Sequence, residues 1–267
     1  MIEWTVITVT FNSEQALATY WVEPIPDNVR WIVVDNASTD ASRETAAALG
    51  AEVIALPKNF GFSSGNNTGL GVSTSRYVAF VNPDVTIDWH SLVHLAADID
   101  KFDALVAPAL RNPDGSPQQN GRGLPFLLDK LGHRGVRLPF QRVDLYLPEL
   151  RQSITAVTWA MGAALCGRRI TFHSIGAWND SFFIYYEDHE IGLRAWSKSV
   201  PVLVDGRVAW VHGWARSTAG FNLRAWRREI ASSWAFYRAY PELLLPIRRR
   251  AQSMPYAEEM VEWKRKN

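Results

Sequence analysis

The sequence predicts an α/β fold in which helices flank a mainly parallel central sheet and further helices close the chain. Three observations predict it. The first hundred residues alternate short β-branched runs with helix-like segments, the pattern of parallel strands joined by crossover helices. The runs at 6–9 and 31–34 are apolar throughout, as expected of strands covered on both faces. A chain of 267 residues that is 47% hydrophobic is long enough to bury such a sheet.

Predicted strands and helices alternate along the first half of the chain. The strands are 5–10, 31–35, 52–56, 77–81 and 104–107. The intervening helices are 14–22, 41–49, 66–74 and 90–101. In open α/β sheets ligands bind beyond the carboxyl ends of the strands, so the polar residues that follow each strand predict a binding edge.

The second half of the chain predicts a less regular arrangement. Residues 111–152 contain five Pro and five Gly and are predicted to form long loops or a lid. A helix is predicted at 187–197, short strands at 202–204 and 208–211, and helices from Leu223 onward.

The C-terminal segment, 222–267, is basic and aromatic. It has ten Lys and Arg against five Glu. Five of its apolar residues recur at roughly helical spacing: Trp226, Ile230, Trp234, Phe236 and Tyr237. Such a helix either packs its aromatic face on the domain or lies on an anionic membrane surface. We favour packing, because stripes of this kind are more often core.

Composition excludes several classes of protein. Lys plus Arg exceed Asp plus Glu by one, so the chain carries no strong field that would indicate a nucleic-acid partner. A single cysteine, Cys166, excludes an internal disulfide framework and a Cys-rich zinc site. The acidic opening does not resemble an export signal, and the longest apolar stretch, 156–166, is too short to span a bilayer. We therefore expect a cytoplasmic protein.

Polar residues follow the predicted strands at three places. Asn12 and Ser13 follow the first strand, Asp35 and Asn36 come at the end of the second, and Asn82-Pro83-Asp84 follows the fourth. Because a carboxylate only accepts hydrogen bonds, Asp35 is suited to an imide N–H of uracil or thymine, or to a ribose hydroxyl. Capping of the next helix by Ser38 or Thr39 is the structural alternative for the rest of the cluster.

Two nucleotide-binding motifs are absent. The first strand is not followed by G-x-G-x-x-G, which excludes a dinucleotide fold, and no Lys stands in P-loop register after the later glycines. Those glycines are Gly61, Gly65 and Gly69. Gly65 and Gly69 share one helical face, which allows close approach of either a sheet or a ligand, and the spacing favours neither.

Acidic residues form two further candidate groups. Asp84 follows a stiff Asn82-Pro83 turn, and it is either an ordinary turn residue or a ligand of a hard cation that bridges a diphosphate. Glu187, Asp188 and Glu190 begin a helix after an apolar stretch, 182–186, that would raise carboxyl proton affinity towards that of a general base. The helix dipole alone explains one or two of them.

His212 follows a predicted strand. A single His is more often structural, but a neutral imidazole at a strand end could complete a Mn²⁺ or Mg²⁺ site.

In six ordered blocks the chain resembles the family 2 inverting glycosyltransferases, which use nucleotide-sugar donors and have a GT-A fold. It is most similar to bacterial members that make rhamnosyl and related linkages in cell-surface polysaccharides. The resemblance covers about residues 5–217 and lies in these blocks: Val9-Thr10-Phe11-Asn12-Ser13, Val33 to Asp40, Asn59-Phe60-Gly61-Phe62 with Gly65-Asn66-Asn67, Asn82-Pro83-Asp84, Trp159-Ala160-Met161-Gly162, and Phe183 to Asp188.

The resemblance implies roles for residues on both sides of a cleft. The nucleoside would be held by Thr10, Asn12 and Asp35, and the donor cleft would be lined by Asn59, Gly65, Asn66 and Asn82. Asp84 and His212 would hold the metal, Mg²⁺ or Mn²⁺. Asp188 would be the catalytic base with Glu187 beside it. The acceptor would contact Trp159, Met161, Gly162 and Glu190, although Glu190 could instead support the motif.

The resemblance also implies a domain organisation. Residues 1–221 would form the GT-A domain, with a donor half, 1–110, and an acceptor and catalytic half, 111–221; residues 222–267 would be a helical, basic extension. The acceptor would be a saccharide or lipid-linked saccharide, the donor a dTDP-, UDP- or GDP-sugar, and the sugar a deoxyhexose such as rhamnose. The enzyme would be cytoplasmic or peripheral at the inner face of the membrane, and a homodimer is allowed.

Two points stay open at the level of sequence. Many members have Asp-x-Asp where this chain has Asn82-Pro83-Asp84, which leaves one carboxylate for the metal and motivates a second hypothesis, a catalytically silent nucleotide-sugar-binding or assembly protein. Four arginines of the 111–152 segment either contact a lipid diphosphate on the acceptor or are solvated: Arg122, Arg134, Arg137 and Arg142.

Overall fold

A mixed sheet of ten strands forms the centre of the molecule. The computed structural model describes residues 3–213, 223–244 and 251–266. The strands are β1 (Trp4–Thr10), β2 (Val29–Asp35), β3 (Glu52–Ala55), β4 (Tyr77–Val81), β5 (Val85–Thr86), β6 (Leu105–Arg111), β7 (Pro117–Gln118), β8 (Gly121–Arg122), β9 (Ile154–Ala156), β10 (Trp159–Ala160), β11 (Ala164–Arg168) and β12 (Val202–His212). The sheet runs β3-β2-β1-β4-β11-β6-β12-β5, with β7 beside β6 and β9 beside β12, while β8 and β10 form a separate pair.

Helices cover both faces of this sheet. They are α1 (Glu14–Tyr20), α2 (Ser42–Ala48), α3 (Phe62–Val72), α4 (Leu92–Phe102), α5 (Leu127–His133), α6 (Val143–Tyr146), α7 (Arg169–Ile175), α8 (Glu187–Trp196), α9 (Leu223–Ala239) and α10 (Pro255–Lys266). Short 3₁₀ turns lie at Trp89–Ser91 and Pro241–Leu243.

The predicted parallel core is confirmed in the first half of the chain. Strand β1 runs parallel to β2 and β4, β2 runs parallel to β3, and β6 runs parallel to β12. Strand β11 is antiparallel to both of its neighbours. The register pairs Thr10 with Asp35, so the polar ends of β1 and β2 lie side by side. Their apolar residues are buried, as strands covered on both faces require.

The prediction of loops or a lid over 111–152 is wrong in part. This segment contains β7, β8, α5 and α6, each between two and seven residues long. Elements this short show no measurable periodicity, and they form because neighbours distant in the sequence pair with them, as β10 does with β8. The sequence also missed β9, β10, β11 and α7, and it divided β12 at an irregularity between Asp205 and Ala209.

Glycines explain how α3 packs. The helix begins at Phe62, four residues before the predicted start, because Gly61 turns the chain with φ +93°. A Cβ atom on Gly65 would lie 2.7 Å from the side chain of Val9, and one on Gly69 would collide with Ile7. The sequence did not distinguish between close approach of a sheet and close approach of a ligand at Gly65 and Gly69. The structure shows that the face with these two glycines packs α3 on β1.

Helix α9 divides the aromatic residues of the C-terminal segment between core and surface. Phe236 and Tyr237 are buried, and the Tyr237 hydroxyl donates a hydrogen bond to the Pro125 carbonyl at 2.9 Å. Trp226, Ile230 and Trp234 are 41, 62 and 65% exposed. Packing on the domain is therefore confirmed for one part of the stripe only. The predicted boundary at 221/222 lies outside the described residues.

Within residues 3–213, 223–244 and 251–266, no helix combines the length and the apolar character that are needed to cross a membrane.

Candidate active site

The ends of β1 and β2 form the first part of the site. Asp35 is fully buried and accepts hydrogen bonds from the Thr10 hydroxyl at 3.1 Å and from the Ser38 amide at 3.0 Å. Asn12 has φ +53°, and its Oδ1 accepts the Thr39 amide at 2.8 Å. The three residues that were predicted to hold the nucleoside of the sugar donor, Thr10, Asn12 and Asp35, therefore lie together. Their contact with a nucleoside stays a prediction.

Asn36 holds the next loop against this edge. Its Oδ1 accepts the Phe60 amide at 3.2 Å and its Nδ2 donates to the Gly61 carbonyl at 3.0 Å. Asn59 closes the same loop by accepting the Gly61 amide at 2.9 Å. Asn66 is buried, and its Nδ2 has no partner among the described residues. Its position after the second strand predicted Asn36 at the binding edge, but not these contacts with the loop at residues 59–61.

Asp84 and His212 meet at the other side of the sheet edge. The Asn82 amide donates to the Ala163 carbonyl at 2.9 Å, and Trp21 Nε1 donates to the Pro83 carbonyl at 3.0 Å, so the turn is held from two sides. Asp84 Oδ1 lies 3.5 Å from His212 Nε2. The predicted metal pair is thus brought together from positions 128 residues apart.

Gln118 selects the tautomer of the neutral His212 ring. Its Nε2 donates to Asn112 Oδ1 at 2.7 Å and to the His212 carbonyl at 2.8 Å, which assigns the direction of the amide. Its Oε1 therefore accepts from His212 Nδ1, at 2.8 Å. In the neutral ring the lone pair of Nε2 then faces a carboxylate oxygen, and a proton or a metal ion between the two atoms would make that contact attractive.

This pair fits a divalent cation that also binds a diphosphate. Within the described ranges no group of three or more His, Cys, Asp or Glu side chains could hold a metal ion. Asp84 and His212 offer one oxygen and one nitrogen, so phosphate oxygens and water would complete the coordination, as is usual for Mg²⁺ and common for Mn²⁺.

A strained turn presents the acidic cluster at the start of α8. Tyr185 and Tyr186 both have positive φ, +70° and +69°. Two adjacent non-glycine residues in this region cost about 1–3 kcal/mol each, strain of a kind that is concentrated at functional sites. The turn is joined to the donor side, because the Phe62 amide donates to the Phe183 carbonyl at 2.7 Å.

The environments of Glu187 and Asp188 differ. Burial, together with the charge of Asp188, raises the pKa of Glu187 well above its usual value, and Glu187 Oε2 has no partner in the described structure. Burial opposes ionisation of Asp188 as well, but hydrogen bonds from His189 and the charge of Lys130 outweigh it and lower the pKa of Asp188. The pKa values of the two neighbouring carboxyl groups are therefore shifted in opposite directions, which favours the acid at Glu187 and the carboxylate at Asp188.

His189 and Lys130 hold the Asp188 carboxylate. Asp188 Oδ1 accepts from His189 Nδ1 at 2.6 Å and from the His189 amide at 2.8 Å. Burial lowers the pKa of His189 to about 4, so the ring is neutral and its Nε2 accepts from Lys130 Nζ at 2.9 Å. The ring stacks between Trp159, at 3.6 Å, and Tyr186, at 4.8 Å between centroids. No hydrogen bond from a described residue reaches Asp188 Oδ2.

The predicted acceptor residues lie around this cluster. Trp159 is buried with its Nε1 unpartnered among the described residues, and the Met161 amide donates to the Asn120 carbonyl at 2.8 Å. Gly162 lies next to the rings of Phe62 and Trp178. Both oxygens of Glu190 bind Arg194, at 2.9 and 2.7 Å, which favours the supporting role. Acceptor contact by these four residues stays a prediction.

The comparison with protein families decides the identity of the chain. The model of the family described as glycosyl transferase family 2 matches residues 5–161. The chain belongs to glycosyl transferase family 2. The match confirms the predicted family.

One relative is the N-acetylglucosaminyl-diphospho-decaprenol L-rhamnosyltransferase of Mycobacterium tuberculosis (strain CDC 1551 / Oshkosh). It is 29% identical to this chain over 192 residues, which cover 61% of this chain and 59% of the relative. The matched region thus spans about three fifths of that protein. This similarity confirms the predicted kinship with rhamnosyltransferase-like members of the family.

Two solved structures share the fold. Staphylococcus aureus TarS 1–349 is 19% identical with a TM-score of 0.54, covering 79% of this chain and 60% of TarS 1–349. The mannosyltransferase PcManGT from Pyrobaculum calidifontis, in complex with GDP-Man and Mn²⁺, is 14% identical with a TM-score of 0.56, covering 84% and 59%. The predicted GT-A fold with C-terminal helices is confirmed.

Proposed function

We propose that this protein is an inverting glycosyltransferase that transfers a sugar from a nucleoside-diphosphate donor to a hydroxyl of a lipid-linked saccharide. The observation that carries the proposal is the placement of Asp188: His189 donates two hydrogen bonds to one of its oxygens, and no hydrogen bond from a described residue reaches the other. The same contacts lower the pKa of Asp188, which favours the carboxylate. An inverting transfer needs one such base. In this proposal residues 1–110 supply the donor side and residues 111–221 the acceptor side, except that His212 from the second half joins Asp84 on the donor side.

The donor side binds the nucleoside and the diphosphate. Asp35, with Thr10 and Asn12, would hold the nucleoside, and Asn59, Asn66 and Asn82 would line the cleft. Gly65, which the sequence also predicted in this cleft, would serve it indirectly, by letting α3 pack closely on β1. Asp84 and His212 would hold a divalent cation, Mg²⁺ or Mn²⁺. When bound, that cation would neutralise charge on the leaving diphosphate. Two observations support this cation site. Asp84 Oδ1 and His212 Nε2 face each other at 3.5 Å, and the hydrogen bond with Gln118 leaves the lone pair of Nε2 available to a metal ion.

The acceptor side removes a proton. Asp188 Oδ2 takes the proton of the acceptor hydroxyl as that oxygen bonds to the anomeric carbon. The bond between this carbon and the diphosphate oxygen breaks, and its electron pair leaves with the diphosphate, so the anomeric configuration inverts. Glu187 stays protonated beside Asp188 and can donate a hydrogen bond, since burial disfavours its anion.

The similarity to the M. tuberculosis relative supports a deoxyhexose donor such as rhamnose and an acceptor that carries a lipid diphosphate. We assign the protein on this basis to cell-surface polysaccharide synthesis.

The experiment pairs donor binding with turnover. Purified protein is given dTDP-rhamnose, a UDP-sugar or a GDP-sugar, together with Mn²⁺ or Mg²⁺ and an N-acetylglucosaminyl-diphospho-lipid acceptor. Product is measured for the wild type and for Asp188→Asn. The control variant is Asp27→Asn, because Asp27 lies in an exposed loop. We expect Asp188→Asn to bind the donor in a thermal-shift assay while product formation falls about 10²–10⁴-fold. Retained turnover would exclude Asp188 as the base. Donor binding without turnover in the wild type would favour the silent binding protein.

A further inference from the structure

An apolar groove of about 470 Å³ lies between α5 and α9. Its apolar walls are Leu127 and Leu131 on α5, Ile230, Trp234 and Tyr237 on α9, and Leu244 beyond that helix. None of the roles derived above uses this groove.

The rim of the groove exposes apolar side chains in a regular stripe. Trp226, Ile230 and Trp234 follow one another at intervals of four along α9 and are 41, 62 and 65% exposed, and Leu244 is 43% exposed. Residues four apart share one helix face, so this stripe forms a contiguous apolar surface. Such surfaces mark ligand grooves, membrane contacts or protein interfaces.

Charge at the groove distinguishes among those partners. Lys130, Arg134 and Arg238 line it, against one acid, Glu229, which is ion-paired with Arg134. The Arg238 guanidinium lies 5.2 Å from the ring centroid of Trp234. An apolar channel with a net excess of cations is complementary to an amphiphile that has a long apolar chain and an anionic head.

The groove adjoins the catalytic cluster. Lys130 lines it and also contacts His189 Nε2 at 2.9 Å. Tyr186 lines it too, and this residue immediately precedes Glu187 at the start of α8. The same two side chains therefore separate the groove from the acids. A ligand in the groove would place its anionic head near the group that holds the proposed base.

We propose that this groove binds the isoprenoid chain of the lipid-diphosphate acceptor, with the diphosphate towards Lys130 and Arg134 and the saccharide hydroxyl towards Asp188. The assignment rests on the proposed function. In this assignment the exposed apolar side chains of α9, Trp226, Ile230 and Trp234, contact the lipid of the substrate rather than a bilayer or a second copy of the chain.

The test varies the lipid and the groove together. Three acceptors share N-acetylglucosamine: the methyl glycoside, the citronellyl diphosphate and a polyprenyl diphosphate, presented in detergent. Ile230→Glu is compared with Val93→Glu, which places the same charge on an equally exposed position of α4, where Val93 is 67% exposed. We expect Ile230→Glu to raise KM for the polyprenyl acceptor about tenfold, with kcat and the donor KM unchanged and with a smaller rise for the citronellyl acceptor. Val93→Glu should change none of these constants.

Each alternative occupant predicts a different result, and each would overturn the proposal. A bilayer contact predicts loss of binding to anionic vesicles with KM in detergent unchanged. An interface between copies predicts a change in oligomeric state, with all acceptors affected equally.

Binding of the polyprenyl acceptor to Asp188→Asn, measured by calorimetry in detergent, gives a readout that does not need turnover. If wild type shows no transfer but Ile230→Glu in this background still weakens that binding about tenfold, the proposed function fails and the groove assignment holds. If binding is equal with and without Ile230→Glu, the groove assignment fails by itself.

Discussion

Replacement of Lys130 by Met is expected to stabilise the protein and to slow its catalysis. Burial lowers the pKa of Lys130 from 10.5 to about 7, so folding at neutral pH and below confines an ammonium group where the neutral amine is preferred. The difference between those two pKa values corresponds to at most about 5 kcal/mol, and we expect a gain of about 2–5 kcal/mol in the free energy of unfolding of Lys130→Met.

The sign of the pH dependence follows from the lowered pKa. Between about pH 7 and 10.5 the unfolded chain binds more protons at Lys130 than the folded protein does, so the stability of the wild type rises with pH across this window. Lys130→Met lacks this contribution. Its advantage over the wild type should be complete below pH 7 and should shrink as the pH rises towards 10.5.

Catalysis should change in the opposite direction. Lys130 donates to His189, and its charge helps to lower the pKa of Asp188. Without this charge the pKa of Asp188 rises, so the acidic limb of the pH–rate profile should move to higher pH. Guanidinium unfolding is measured from pH 6 to 9.5, and kcat is measured from about pH 3 to 9.5 because the pKa of Asp188 lies below its usual value. The control is Lys101→Met on the exposed face of α4. A loss of stability at pH 7, or an advantage that does not depend on pH, would refute this reasoning.

Three further substitutions test other parts of the account. Glu187→Gln should retain most turnover, and a large loss of kcat would contradict a protonated Glu187. Because the pKa of Glu187 is raised in the folded protein, the wild type should lose stability as the pH rises above 4.5, and unfolding curves should show that the variant does not. Gln118→Ala should weaken activation by Mn²⁺ about 10–100-fold without changing the fold, and an unchanged Mn²⁺ titration would exclude its role in orienting His212. Gly61→Ala should lower the free energy of unfolding by about 1–3 kcal/mol more than Gly115→Ala does. Both glycines have positive φ, but only at Gly61 would the added Cβ collide with Phe183, so equal losses would contradict this packing.

The parallel part of the fold and its polar edge could be predicted because both are local. Apolar runs identify buried strands, and parallel strands end at one edge, so Thr10 and Asp35 could be expected to lie side by side. The acidic cluster was also visible, since three acids and a His at one helix start exceed what a helix dipole explains.

Contacts made by distant residues could not be predicted. Lys130 reaches His189 across 59 residues, and Gln118 reaches His212 across 94. Neither belongs to a motif, and both come from a segment whose Pro and Gly content predicted loops. The short strands and helices of that segment form only where other parts of the sheet and α9 give them partners.

Helix α9 shows a related limit. A helical stripe of aromatic residues predicts an apolar face, but it does not say what covers that face. In this chain Phe236 and Tyr237 face the domain, whereas Trp226 and Trp234 face outward. The direction of each side chain depends on where the helix lies on the domain.

A crystal structure with a nucleoside diphosphate and Mn²⁺ would show directly whether Asp35, Asp84 and Asp188 share one cleft. We expect an anomalous Mn²⁺ peak between Asp84 and His212, the nucleoside against Asp35, and Asp188 Oδ2 facing the diphosphate across an open space large enough for a sugar. A Mn²⁺ ion bound elsewhere, or an Asp188 carboxylate outside the cleft that holds the nucleotide, would contradict it.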